Sequence, residues 1–80
     1  MEKFRTETDG KQITIWNDTE GIGLRFTEGE TLQEYKTGIV IKDTALLSTE
    51  EGVRHLTEVQ AELTAYAKEH YPKEFAPLAD

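Results

Sequence analysis

Residues 48–71, STEEGVRHLTEVQAELTAYAKEHY, decide the fold. Val53, Leu56, Val59, Leu63, Tyr66, Ala67 and His70 recur there at three- and four-residue steps, the spacing that puts side chains on one side of a helix. The spacing predicts one long helix from Ser48 to Tyr71. At its start Ser48-Thr49-Glu50-Glu51 has capping-box spacing: the Ser48 hydroxyl can take the free amide of Glu51 while the Glu51 side chain bonds back. Gly52 weakens the first turn, and Pro72 ends the helix.

Ahead of this helix the apolar positions alternate with period two. Asp9-Gly10 is a strong hairpin signal, because a type I′ turn needs positive φ at both central positions. A two-residue loop there sets Thr8 opposite Lys11, Thr6 opposite Ile13 and Phe4 opposite Ile15, which gathers Phe4, Ile13 and Ile15 on one face. A four-residue loop Asp18–Gly21 then pairs Ile15 with Leu24 and Ile13 with Phe26. Leu32 and Tyr35 fit neither period, and the fourth strand starts somewhere between Gln33 and Thr37, running to Lys42 with Ile39 and Ile41 inward. Asp43 to Leu47 connects to the helix, with Ala45, Leu46 and Leu47 tucked beneath it. The predicted fold is α+β: a four-stranded antiparallel meander with one long C-terminal helix packed on its inner face, β-β-β-β-α. All 80 residues form one domain, with sheet and connector over 1–47, helix over 48–71 and tail over 72–80.

Length and composition bound the function. A chain this short hides only about 60% of its unfolded surface, so the core is thin. It has no cysteine to brace it. No signal-peptide pattern and no run of about 20 apolar residues occurs, and the expected location is the cytoplasm. Sixteen acids against nine bases give a net charge of −7, which opposes long-range approach to nucleic acid or anionic lipid.

The same register leaves an outer sheet face. Lys3, Trp16 and Gly23 fall in one row and Arg5, Thr14 and Arg25 in the next. An indole flanked by Lys3, Arg5 and Arg25 is a binding surface in prospect. A base can stack on the ring while the cations follow phosphates, and tryptophan and arginine are equally favoured at protein contacts. Trp16 can also pack over Gly23 with no ligand at all.

In its order of elements, and in a Gly-Ile-Val-Ile strand leading through Ser-Thr-Glu-Glu into the helix, the chain resembles the positive-cofactor-four type of transcriptional coactivators. That resemblance implies a helix that dimerises and a strand face that takes single-stranded DNA. Where that family has basic strands and loops, this chain has Glu28, Glu30, Glu34 and Asp43.

The helix itself outruns the sheet: about 23 residues span about 35 Å, against about 23 Å for a seven-residue strand. The overhang carries Tyr66, His70 and Tyr71, to be covered by the Phe75–Leu78 tail or by a second subunit in a homodimer. His55 and His70 stand about 22 Å apart along the axis and cannot share a metal. Glu51, His55, Glu58 and Glu62 line one side, a solvated acidic face far more readily than a cation site. No nucleophile, phosphate-loop or zinc pattern is present, so neither a cofactor nor enzymatic activity is expected. The leading functional reading is a small non-enzymatic protein-interaction or regulatory module. Behind it stand single-stranded nucleic acid binding through the outer face, and an acidic DNA mimic using Glu50, Glu51, Glu58, Glu62 and Glu69.

Overall fold

The computed structural model describes residues 3–31 and 38–75. Strands β1 (Arg5–Asp9), β2 (Gln12–Asn17), β3 (Ile22–Thr27) and β4 (Gly38–Ile41) form an antiparallel sheet in the order β1-β2-β3-β4. A 3₁₀ turn (Thr44–Ser48) leads into helix α1 (Glu50–His70), and a short helix α2 (Pro72–Phe75) follows. The α+β meander with a C-terminal helix is thus the observed architecture. Leu32, Gln33, Glu34, Tyr35, Thr37 and Leu78 lie outside the described residues.

The β2–β3 register is the expected one, with Ile13 against Phe26, Ile15 against Leu24 and Trp16 against Gly23. Gly21, at φ +69°, closes the loop by donating its N–H to the Asn17 carbonyl at 2.9 Å. The first hairpin differs. Asp9 pairs with Gln12, Thr8 with Ile13 and Thr6 with Ile15, two residues along from the expected match. Gly10, at φ +62°, stands first in the turn, so Asp9 stays in the strand and never takes a left-handed conformation. A two-residue shift preserves parity, so every side chain keeps its face. It changes the rows: Arg5, not Lys3, lies opposite Trp16.

α1 packs across β2 and β3. Its buried positions are Gly52, Val59, Leu63 and Ala67, with Leu56 and Tyr66 partly covered. They close on Ile13, Ile15, Ile22, Leu24 and Phe26. The predicted stripe needs two corrections. Val53 and His70 are exposed, and Gly52 takes the buried place in the first turn.

The helix start is also one residue later than the capping box requires. Thr49 is the N-cap, accepting the Gly52 N–H at 2.9 Å, and Ser48 ends the 3₁₀ turn. The turn, itself begun by Asp43 accepting the Ala45 N–H at 3.0 Å, lays the Leu46 carbonyl against the Gly52 Cα. A Cβ at 52 would collide with that carbonyl. Gly52 is therefore the residue that lets α1 start here. The connector does not tuck under as a whole: Leu46 packs on the core, whereas Ala45 and Leu47 are exposed.

At the other end Pro72 stops α1 and opens α2, its missing N–H being harmless in a first turn. Phe75 is buried, its ring 4.8 Å edge-on to Phe26, and Tyr71 reaches the same ring at 5.0 Å. The Glu74 carboxylate accepts the Gly29 N–H at 2.7 Å and ties α2 to the β3 end. Tyr66 rests edge-on against Phe4 at 4.8 Å and stacks on His70 at 4.1 Å. The helix end at Tyr66 and Tyr71 is thus met by rings of the same chain.

Candidate interaction surfaces

Among the described residues no second layer covers the outer sheet face, yet its tryptophan is buried. Trp16 is 7% exposed. Its ring lies so close over Gly23 that a Cβ there would come within 2.8 Å of the indole. Lys42, one residue past β4, sets its ammonium 5.0 Å from the ring centroid, and the indole N–H donates to Glu7 at 3.3 Å. The ring has its apolar and polar partners within the chain.

The cations around it are engaged as well. Arg5 donates to both Asp18 oxygens, at 2.7 and 3.0 Å, and to Glu7 at 3.3 Å. This fork, to Asp18 first and Glu7 second, raises the guanidinium pKa above its ordinary value. In return Asp18 and Glu7 titrate below theirs, Asp18 because of Arg5, Glu7 chiefly because of the Trp16 N–H and then Arg5. Arg25 donates to the buried Thr14 hydroxyl at 3.0 Å. Lys3 is drawn round to the helix, where its ammonium meets Glu62 at 2.9 Å. Of the four residues expected to form one patch, Arg5, Trp16 and Arg25 share the outer face and Lys3 does not.

Sequence reasoning missed Asp18 and Lys42 as members of this network. Parity alone could have found Lys42, which follows Val40 on the outer side. Asp18 is beyond the strand, where alternation gives no direction.

His55 closes the other side of the sheet. Its Nε2 lies 2.6 Å from Glu20 in the β2–β3 loop, and that carboxylate, aided by Glu58 and Glu62, raises the imidazole pKa. His70 sits apart, stacked on Tyr66. Among the described residues no three His, Cys, Asp or Glu side chains converge as metal ligands, and no helix is long and apolar enough to cross a membrane.

The side of α1 turned away from the sheet is different in kind. Leu47 is 54% exposed and Val53 44%. Both line a shallow depression of about 560 Å³ together with Ser48, Thr49, Glu50 and Arg54. Further along the helix a second depression of about 390 Å³ lies over Thr57, Gln60, Ala61, Thr64, Ala65 and Lys68. This face mixes small side chains with long polar ones, and Glu51, Glu58, Glu62 and Glu69 run along one edge of it.

Compared with protein-family models, curated proteins and solved structures, the chain matches none. The resemblance to the coactivators therefore stays one of element order.

Proposed function

We propose that this chain is a small, non-enzymatic protein-interaction module of the cytoplasm that works through the uncovered face of α1. One observation carries the reading: among the described residues the exposed large apolar side chains are Leu47 and Val53, and they share one depression. Exposed apolar area that a thin-cored domain leaves uncovered is the feature expected of a contact surface. The rival surface is spent internally. Trp16 has little ring left to offer a base, Arg5 is held by two carboxylates, and Lys3 by a third. The helix acids favour a DNA mimic less, since Glu62 is taken by Lys3.

A photo-crosslinking amino acid at position 53, with position 12 on the outer sheet face as control, tests this in cells that express the chain. A discrete protein adduct from 53 and none from 12 is the expected result. Adducts from neither site would overturn it. So would quenching of Trp16 fluorescence by single-stranded oligonucleotides that weakens with salt, since that reports the outer face at work.

A further inference from the structure

We infer that the partner on this helix face is a second copy of the chain, docked by a two-fold contact in which Glu50 of each subunit meets Arg54 of the partner subunit. The inference rests on reading the α1 face as the interaction surface, and it adds the identity of what covers it.

Self-complementarity is the argument. An isologous contact needs one patch that carries both halves of each interaction. Here the apolar floor, Leu47 and Val53, has one acid and one base on its rim, Glu50 and Arg54. Among the described residues neither makes an ion pair or a side-chain hydrogen bond, although they stand four apart on one helix. They are about 6 Å apart along the axis and about 40° apart around it. When two helices cross antiparallel about a dyad perpendicular to both, equal flanks face each other and the chain direction reverses. A dyad level with Gly52 then brings Glu50 level with Arg54 of the partner subunit twice over, and leaves Val53 about 3 Å along the axis from its symmetry mate.

Glu62 of each copy is paired with its own Lys3 at 2.9 Å, which takes one acid of each helix out of the repulsion between two acidic copies. An interface of two apolar side chains and two rim charges from each subunit is small, so the association is weak and needs high protein concentration to be seen.

Sedimentation equilibrium of the full chain up to high protein concentration is the test, with far-UV circular dichroism to hold the fold constant. The wild-type chain dimerises. Glu50→Arg and Arg54→Glu, each turning two attractions into two repulsions, raise the dissociation constant about tenfold or more. The double variant E50R/R54E restores it to within about threefold, because the exchanged charges face each other again. A monomer at every concentration, or a double variant as weak as the singles, overturns the inference. If the chain stays monomeric while position 53 crosslinks to a different protein, the second copy is wrong and the interaction surface stands. If it stays monomeric and nothing crosslinks, both fall.

Discussion

The sheet and the helix each turn one side to solvent, and the two sides are built on opposite principles. On the sheet, an indole, two arginines and a lysine meet acids, a hydroxyl and a glycine of the same chain, and little is left unsatisfied. Where the 3₁₀ turn meets α1, Leu47 and Val53 are exposed to solvent, and the Glu50 and Arg54 beside them have no partner among the described residues. The sheet side has the richer residue types, yet it is the poorer candidate for binding. Residue type alone does not make a contact surface. What counts is whether the fold has already consumed the group.

The sharpest way to break this contrast is to truncate one apolar side chain on each surface. Trp16→Ala should cost about 3–5 kcal/mol, as removal of a buried aromatic does, and would leave a small domain close to unfolded. Val53→Ser should change stability by less than about 0.5 kcal/mol, the usual range for an exposed site. Urea unfolding followed by far-UV circular dichroism, at concentrations too low for association, measures both. If Trp16→Ala proved nearly silent, the indole would be free for a ligand and the contrast would reverse.

The same distinction between residue type and cover governs how much of the molecule is legible in its sequence. Period-two alternation places Ile13, Ile15, Leu24 and Phe26 inward and Trp16, Arg5 and Arg25 outward, and a two-residue slip at Gly10 leaves that parity intact. Parity gives direction but says nothing of cover. It does not reveal that Lys42 arrives over the indole or that Asp18, past the strand end, reaches back to Arg5. The exposed apolar patch is hidden for a related reason. Val53 fits the three- and four-residue spacing of the core stripe, but the angle at which α1 leaves the 3₁₀ turn is fixed by a backbone contact between Gly52 and Leu46, which no periodicity records.

That contact and the one under Trp16 give a second, smaller comparison. Gly52→Ala improves helix propensity by up to about 1 kcal/mol, yet it should destabilise by about 2–3 kcal/mol net, because the new methyl meets the Leu46 carbonyl and backbone must move. Gly23→Ala meets the Trp16 ring instead, which can slide outward, so a loss of about 1–2 kcal/mol is expected with red-shifted Trp16 emission. Equal losses for the two variants, measured by urea unfolding, would mean that the indole is held as rigidly as backbone. A gain for Gly52→Ala would mean that α1 does not start where Thr49 caps it.

The smallest effect separates the two sides of the sheet by pH. Glu7 and Asp18 titrate below their ordinary values when folded, so their contribution is fully present above those values and is lost as pH falls through the lower, folded ones. His55 runs the other way. Its folded pKa is raised by Glu20, so the clasp between α1 and the β2–β3 loop contributes fully below about pH 6.5, the ordinary histidine value, and is lost as pH rises through the folded one. Glu20→Gln should therefore lower the melting temperature slightly near pH 5.5 and leave it unchanged near pH 9, roughly either side of the window. Asp18→Asn should do the reverse: lower it at neutral pH and converge with wild type in acid. Both groups are solvent-exposed, so salt should shrink either difference. A pH-independent deficit in Glu20→Gln would mean that the carboxylate holds the loop by shape and not by charge, and would remove His55 from the account of how the helix is fastened to the sheet.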